Sequence, residues 1–407
     1  MTLPLNTDAV RANFPAFKQQ DLDGWAFFEN AGGAYMAQQV IDQYNAYFTE
    51  HKLQPYGTYP ASQDAGSVMD QAHARLAKAL NVDVDAIHIG PSTTANTYTL
   101  GHAFAEMFGK DDAIVVTDQD HEANTGAFRK LAKQGVEIRE WKVNKDSAEL
   151  ELDQLAELLD EKVKLVAFPH CSNVVGHINP AKQINEMAHG VGAITVVDGV
   201  AYAPHFVPDI TDLGADIYLF STYKTFGPHQ GVMVIDPELV NMLPNQGHFF
   251  NEGILRKRLV PAGPDHAQIA ACNGIVDYYD ALAEIAGTQD SDDPYRATSE
   301  VVRAQEIALI EPLLEYLRGR NDVRIIGPST AAERVPTVAI HCEKPGQELA
   351  KALADHKIMA AGGHFYAYRL CDALNLGLDH GVLRMSFVHY TSQAEIEQLI
   401  KALDQVL

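Results

Sequence analysis

The stretch Ile217-Tyr-Leu-Phe-Ser-Thr-Tyr-Lys224 decides the fold class, because a short apolar run passes directly into hydroxyl groups and a lysine. A continuous apolar run of this length is typical of a strand that is covered on both faces of a sheet. Runs of this kind occur five times, and they predict the strands Ala113–Thr117, Val163–Phe168, Ile194–Val197, Ile217–Phe220 and Gly231–Ile235.

Helical patterns separate the earlier strands, as at Asn124–Lys133 and Ala181–His189. Strands that alternate with helices predict an α/β fold with a mainly parallel sheet. The last two strands are too close in sequence for a helical crossover, so we expect one antiparallel neighbour in this sheet.

A loop rich in glycine, aspartate and proline, Gly287 to Pro294, predicts a domain boundary. Beyond it the pattern predicts a smaller α/β unit with these elements in order: helix Tyr295–Leu317, strands Val323–Ile326 and Thr337–His341, helix Gln347–Asp355 and strand Val382–Val388. We therefore expect a large domain at residues 46–286 and a small domain at residues 287–407. Residues 1–45 are expected to associate with the small domain.

Composition and charge exclude several classes of protein. The 407 residues are 46% hydrophobic and 21% charged, which is ordinary for a globular protein, and the net charge is −23. Nucleic acids and anionic membranes both require basic patches, so neither is an expected partner. No signal peptide and no apolar run near the ~20 residues of a membrane span is visible.

The cysteines and histidines show no metal-ligand spacing. The four cysteines form no CxxC pair, and the 17 histidines are scattered along the chain. No metal site is expected, and a reducing, cytoplasmic setting is the expectation for this cysteine usage.

Polar side chains follow four of the predicted strands at their carboxyl ends. His121, Asn173 and Asp198 each come shortly after a strand, and Ser221 and Lys224 follow the next one. Each residue alone is more often a cap, a turn residue or a solvated charge. In open α/β sheets, however, ligands bind outside the carboxyl ends of the strands, so the coincidence predicts a site.

These residue types fit pyridoxal 5′-phosphate (PLP). A buried lysine such as Lys224 can form a Schiff base with an aldehyde cofactor, and a carboxylate such as Asp198 keeps the ring nitrogen protonated. The imidazole of His121 can stack on the ring. The hydroxyl cluster Ser92-Thr93-Thr94, ahead of a helical pattern, offers hydroxyls and backbone N–H groups to a phosphate, and Ser221 offers another hydroxyl.

Two longer stretches, Val197-Asp-Gly-Val-Ala-Tyr-Ala-Pro-His205 and Phe220-Ser-Thr-Tyr-Lys-Thr-Phe-Gly-Pro228, resemble the cofactor-lysine region of class V aminotransferases, above all their cysteine desulfurase-like branch. The resemblance covers nearly the whole chain. Its other motifs, in chain order, are the substrate loop Phe28-Glu-Asn-Ala-Gly-Gly33, the phosphate turn Ser92-Thr-Thr94, the ring-stacking motif His121-Glu-Ala-Asn124, the segment His170–Pro180 that places Asn173 beside the cofactor, and Leu383-Arg-Met-Ser386.

The resemblance implies PLP fold type I, a small amino-acid substrate and a homodimer with active sites near the subunit interface. It implies that Arg384 binds the substrate carboxylate, with Gly32, Gly33 and Tyr366 also at the substrate, and that His266 reaches the partner subunit's phosphate. Lys224, His121 and Tyr223 are the implied catalytic residues.

The sequence departs from the family pattern at three positions that line the expected site. Tyr366, in Ala361-Gly-Gly-His-Phe-Tyr366, takes the place of the cysteine that becomes a persulfide in desulfurases, and a phenol cannot accept sulfane sulfur. Ala201 replaces a glutamine near the ring oxygen, and Tyr223 replaces a histidine and could supply a different acid. Cys371 is expected to be a packing residue on a helix.

These departures predict altered reaction specificity. The favoured function is β-elimination from a cysteine-like amino acid without a persulfide, and a class V aminotransferase is the alternative. An epimerase and a non-catalytic homologue are further alternatives. The Ser-x-x-Lys pattern of Ser221 and Lys224 also occurs in penicillin-recognising enzymes, but their S-D-N and K-T-G companions are missing here.

Overall fold

The computed structural model describes residues 3–51, 53–261 and 263–407. In this part of the chain there are 13 β-strands. They are β1 (Ala26–Phe27), β2 (Ile87–Gly90), β3 (Ala113–Thr117), β4 (Glu137–Trp141), β5 (Val163–Pro169), β6 (Ile194–Asp198), β7 (Ile217–Ser221), β8 (Gly231–Ile235), β9 (Val323–Ile326), β10 (Thr337–Cys342), β11 (Ile358–Met359), β12 (Ala361–Gly363) and β13 (Val382–Ser386).

The same residues form 16 α-helices. They are α1 (Thr7–Arg11), α2 (Gln38–Glu50), α3 (Pro60–Ala79), α4 (Thr93–Met107), α5 (Glu122–Arg129), α6 (Leu152–Leu158), α7 (Ala181–His189), α8 (Ile210–Leu213), α9 (Pro237–Met242), α10 (Leu255–Arg258), α11 (His266–Ala271), α12 (Asn273–Ala286), α13 (Pro294–Arg318), α14 (Gly346–Ala354), α15 (Tyr368–Ala373) and α16 (Gln393–Val406). None of these helices has the length and apolar character needed to cross a membrane.

The largest sheet has seven strands in the order β2-β8-β7-β6-β5-β3-β4. The pairs β3/β4, β3/β5, β5/β6 and β6/β7 are parallel, whereas β8 is antiparallel to both β7 and β2. The prediction of a mainly parallel sheet with one antiparallel neighbour is therefore confirmed.

Alternate residues of the buried strands pack into layers on opposite faces of this sheet. In β7, Tyr218 and Phe220 belong to one apolar cluster. Ile217 and Leu219 belong to another. The central strands are buried along their whole length, which explains their continuous apolar sequence.

A second sheet, in the order β12-β13-β10-β9, is antiparallel throughout. The N-terminal segment joins this part of the chain, because β1 pairs in parallel with β11 and Ser386 N donates to Phe28 O at 2.7 Å. Residue 45 lies within α2, and Gly287 ends α12 in a left-handed conformation (φ 73°). The domain limits at residues 45 and 286 stay a prediction.

Two predicted elements differ from the structure by more than one residue at an end. The helix predicted at Asn124–Lys133 begins at Glu122, because His121 caps it, and it becomes a 3₁₀ turn at Lys130–Gln134. The strand predicted at Val382–Val388 ends at Ser386, and the next residue, Phe387, donates instead to Pro336 O outside the sheet.

Candidate active site

A cavity of about 210 Å³ opens at the carboxyl ends of β5, β6 and β7. Parallel strands bring these ends to one edge of the sheet, where side chains far apart in sequence meet. The cavity wall contains these residues expected from the sequence: Ser92, Thr93, Thr94, His121, Asn173, Asp198, Ser221, Tyr223 and Lys224.

Lys224 is the last residue of the 3₁₀ turn Thr222–Lys224, which follows β7. The side chain is only 6% exposed. Burial and, to a smaller extent, the cation Arg384 lower the pKa of Lys224 to about 8, against the opposing effect of the carboxylates of Asp198 and Glu29. A lysine with this pKa is partly neutral near physiological pH and can act as a nucleophile or a base.

Asp198 ends β6 and is buried at the cavity wall. Its Oδ1 accepts a hydrogen bond from Val200 N at 2.9 Å, which fixes the carboxylate orientation. Burial raises the pKa of Asp198, while the Val200 N–H and the nearby Lys224 lower it. A cation placed beside this carboxylate would favour its ionised form.

His121 is the N-cap of α5, and its Nδ1 accepts a hydrogen bond from Ala123 N at 3.0 Å. Burial lowers the pKa of His121 to about 4, with Lys224 and Arg384 acting in the same direction. The ring is therefore a neutral imidazole that carries its proton on Nε2. Its orientation is set by the helix that it caps.

Hydroxyl groups gather where α4 begins. Ser92 caps this helix by accepting from Ala95 N, and Thr93 Oγ1 lies 2.7 Å from Ser221 Oγ. A Cβ atom at Gly231 would lie 2.3 Å from Thr93 N, so glycine allows β8 to approach the turn. The arrangement presents hydroxyls and helix N-terminal N–H groups together, which is how proteins bind phosphate.

Arg384, on β13, is 2% exposed and acts on Lys224 as a nearby cation, although it is not among the residues that line the cavity. Its Nη2 donates to Glu29 Oε1 at 2.5 Å, and its Nη1 donates to Asn173 O at 3.2 Å. The guanidinium carbon lies 3.8 Å from the centre of the Phe365 ring. Asn173 Nδ2 in turn donates to Phe365 O at 2.9 Å. Arg384, Asn173 and Phe365 therefore fix one another's positions.

The comparison with known proteins assigns the family. The profile described as aminotransferase class-V matches residues 26–248 and 295–399. The chain belongs to the class V aminotransferase family. The aminotransferase-like protein FGM3 of Gibberella zeae is 33% identical over 98% of both chains. The cysteine desulfurase-like protein ustD of Aspergillus flavus is 29% identical, with 99% of this chain and 91% of that protein covered.

Solved structures show the same class V aminotransferase fold. The apo cysteine desulfurase of Thermococcus onnurineus NA1 superposes with a TM-score of 0.86 at 21% identity and covers 100% of this chain and 98% of that one. Cysteine desulfurase CsdA of Escherichia coli gives a TM-score of 0.79 at 21% identity over 98% of each chain. Members of the class V family depend on PLP, act on small amino acids and often form dimers.

The loop that carries Tyr366 passes over the cavity of this class V member. Phe365 and Tyr366 both have positive φ angles, 50° and 59°, which are uncommon for residues with side chains. Tyr366 O accepts from Glu122 N at 2.9 Å, and the Tyr366 ring is centred 5.2 Å from that of His121. The Tyr366 side chain is 70% exposed. Its contact with substrate stays a prediction.

Burial raises the thiol pKa of three of the four cysteines, Cys171, Cys272 and Cys371. Cys171 lies at the cavity wall, but its Sγ donates to Gly176 O at 3.2 Å, and burial raises the pKa of the thiol far above its usual range. Burial also raises the pKa of Cys371 to about 11 and of Cys272 to about 12. Low-pKa thiolates are the reactive form of cysteine, so these three thiols are unreactive at neutral pH.

Five predicted residues are not among those that line the cavity: Gly32, Gly33, His266, Arg384 and Tyr366. Gly33 lies next to it, because a Cβ atom there would be 3.3 Å from Tyr223 Cδ2. Gly32 packs against the Glu29 carboxylate instead. His266 begins α11 and lines a separate recess with Tyr47, so this single chain does not bring it to the site.

Three site residues escaped the sequence reasoning. Glu29 lies within the substrate-loop motif, and its charge beside small residues is the sequence signal that could have identified it as a site residue. His229 also lines the cavity and stacks on Tyr223, with ring centres 4.8 Å apart. Phe365 covers one face of Arg384, and nothing in the local pattern indicated that contact.

Proposed function

We propose that this class V aminotransferase family member holds PLP as a Schiff base on Lys224 and acts on a small amino acid. The observation that carries the proposal is the buried Lys224 amine with its lowered pKa, in one cavity with Asp198 and the Thr93–Ser221 hydroxyl pair. An exposed lysine would stay protonated and would react slowly with an aldehyde.

The residues present fit the phosphate end of this cofactor. Ser92, Thr93, Thr94 and Ser221 supply hydroxyls at the first turn of the 15-residue helix α4, and the partial positive charge of a helix N-terminus favours an anion. The net charge of the chain is −23, which repels anions in general. A local site that attracts an anion on such a chain therefore supports the binding of a specific anionic ligand.

The residues also fit the ring. Asp198 would hold the ring nitrogen protonated, and the neutral imidazole of His121 presents a flat face at the cavity wall. When bound, PLP supplies an electron sink for negative charge at the substrate's α-carbon. Asn173 Oδ1 is buried without a hydrogen-bond partner among the described residues. It can therefore accept a hydrogen bond from a ligand in the cavity.

Residues in and beside the cavity would position the substrate. Arg384 would bind the α-carboxylate, since guanidinium and carboxylate match in charge and geometry. Lys224 would take the α-proton as a neutral amine. Burial raises the pKa of Tyr223, which keeps the phenol protonated and able to donate a hydrogen bond beside Lys224.

β-Elimination from a cysteine-like substrate is the reaction that we propose. The α-proton would pass to Lys224, the bond between Cβ and sulfur would break, and the thiol would leave with a proton. One water molecule would then hydrolyse the remaining imine, which releases ammonia and a 2-keto acid. This sequence needs no oxidant and no protein thiol. The three unreactive cysteines and the tyrosine at position 366 support a route without a persulfide.

Transamination is the second candidate, and the name of the relative FGM3, an aminotransferase-like protein, favours it. The two reactions differ in stoichiometry. Elimination releases keto acid and ammonia without an amino acceptor, whereas transamination consumes one acceptor for each product. We further propose a homodimer in which His266 faces the partner subunit.

The experiment that tests the proposal loads the protein with PLP, reduces it with borohydride and locates the adduct by mass spectrometry. We expect an adduct at Lys224, and we expect Lys224→Ala to lose both the adduct and all turnover. The control is Lys182→Ala, because Lys182 is an exposed lysine on α7 that pairs with Asp212. Full turnover in Lys224→Ala would refute the assignment.

A further inference from the structure

Glu29 is paired with the arginine that the proposed function assigns to the substrate. The ion pair between Arg384 Nη2 and Glu29 Oε1 is 2.5 Å long and joins residues 355 positions apart. The Glu29 side chain is 26% exposed, whereas that of Arg384 is almost fully buried. A protein carboxylate therefore stands where a substrate carboxylate would be recognised.

The pairing leaves polar atoms of both partners unsatisfied. Glu29 Oε2 and Arg384 Nε are buried and have no hydrogen-bond partner among the described residues. The contact is thus single, although carboxylate and guanidinium can pair through two parallel hydrogen bonds. Buried polar atoms without partners cost free energy, so a carboxylate that also reached Nε would bind this arginine better than Glu29 does.

The backbone around Glu29 leaves room for its carboxylate beside Arg384. Glu29 lies in the loop that follows β1, and Gly32 N donates to Glu29 O at 2.9 Å in a tight turn. A Cβ atom at Gly32 would lie 2.6 Å from Glu29 Oε1, so glycine provides the space that the carboxylate occupies. The partial exposure of Glu29 gives its side chain a path towards solvent.

We propose that Glu29 occupies the carboxylate subsite of Arg384 in the substrate-free enzyme and leaves it when the substrate's α-carboxylate binds. Glu29 then sets the apparent affinity of this subsite, because every carboxylate ligand competes with a group that is already in place. This inference rests on the proposed function only in taking Arg384 as the carboxylate site.

The competition also sets which ligands succeed. A ligand attached to the site by its amino group as well as its carboxylate replaces Glu29 with the advantage of two anchors. A simple monocarboxylate has one anchor and competes poorly. Glu29 therefore raises by one common factor the concentration that every carboxylate ligand needs, and a ligand with a second anchor still binds at low concentration.

The test titrates propionate, a carboxylate without an amine, into the cofactor-free and the PLP-loaded protein by calorimetry. In Glu29→Gln the neutral amide competes weakly for Arg384, and we expect propionate to bind about tenfold tighter than in the wild type, a change of ~1.4 kcal/mol. Glu311→Gln, which removes an exposed ion pair to Arg318 on α13, is the matched control and should leave propionate affinity unchanged.

A double variant, Glu29→Gln with Arg384→Gln, should lose the gain, since the gain depends on the freed guanidinium. Glu29→Asp provides a second test, because the shorter carboxylate reaches Arg384 less well and should also tighten propionate binding. Unchanged or weaker propionate binding in a folded Glu29 variant would overturn the proposal, as a merely structural Glu29 predicts no gain.

The two proposals fail separately. Propionate binding to the cofactor-free protein involves no chemistry at Lys224, so its result stands whether or not PLP is captured. If no borohydride adduct forms at Lys224, the cofactor assignment is wrong. The competition between Glu29 and propionate for Arg384 can still be measured in that case.

Discussion

Thr93 Oγ1 and Ser221 Oγ lie 2.7 Å apart and join the first turn of α4 to the last residue of β7. These residues are 128 positions apart in the sequence. One hydroxyl donates to the other, which leaves the second with a proton for a ligand oxygen. The bond therefore fixes the proposed phosphate site relative to Lys224, three residues after Ser221.

Thr93→Val should weaken PLP binding. Valine has the shape of threonine without its hydroxyl, so Ser221 and the phosphate both lose a partner, and we expect the dissociation constant to rise about tenfold. Fluorescence titration with PLP measures it. Thr99→Val is the control on the same helix, because Thr99 Oγ1 donates to Ala95 O within α4. Equal PLP affinity in both variants would contradict the phosphate assignment.

The rate of PLP capture should depend on pH in a way that reports the pKa of Lys224. Only the neutral amine attacks the aldehyde, and the pKa of about 8 places its titration below that of an ordinary lysine. The capture rate should rise about tenfold for each pH unit below this pKa and level off above it. Stopped-flow absorbance measures the rate. A rate still rising towards pH ~10 would indicate an ordinary lysine.

Gly231→Ala should destabilise the protein. The added methyl group would meet the backbone at Thr93 N at 2.3 Å, and neither strand β8 nor the turn can move freely. Such overpacking costs about 1–3 kcal/mol. Thermal unfolding of the cofactor-free protein measures the loss. Gly109→Ala serves as the control, because no atom lies within 4 Å of a Cβ there. An equal Tm for both variants would show that the approach of β8 to the turn is not tight.

The protein should form no persulfide when it is incubated with cysteine and PLP. Burial keeps the thiols of Cys171 and Cys371 protonated, and Tyr366 cannot accept sulfur. Intact-mass spectrometry under non-reducing conditions should show no added sulfur. Labelling of Cys371 with sulfane sulfur would overturn this prediction, and Cys371→Ala would then identify the acceptor.

The strand pattern predicted the large sheet because its central strands are apolar on both faces. β2 was not predicted, since His88 interrupts its apolar run although it is fully buried. β4 was missed for another reason: it is an edge strand in which Trp141 is buried but the other four residues are exposed or only partly buried, so its sequence Glu137–Trp141 carries charges. Local patterns reveal a strand when both faces are covered and lose it at an edge.

The sequence reasoning located the residues of the cavity wall that follow strands, since chain direction alone brings strand ends together. It missed the contacts between distant loops. Arg384 was expected to face a substrate, but its pairing with Glu29 and its stacking on Phe365 depend on the packing of three separate segments. No local sequence periodicity predicts a contact between segments that are so far apart in the chain.

The pairing of β1 with β11, and of Glu29 with a residue near the other end of the chain, has a consequence for biosynthesis. Residues 26–30 are made well before their partners at Met359, Arg384 and Ser386, since Glu29 and Arg384 are 355 positions apart. The large sheet can form while the chain is still growing, but the substrate side of the cavity cannot. The cavity wall, which residues 92 to 229 supply, can thus form before the pair of Glu29 and Arg384, and removal of the segment that holds β13 should yield a folded large sheet without that pair.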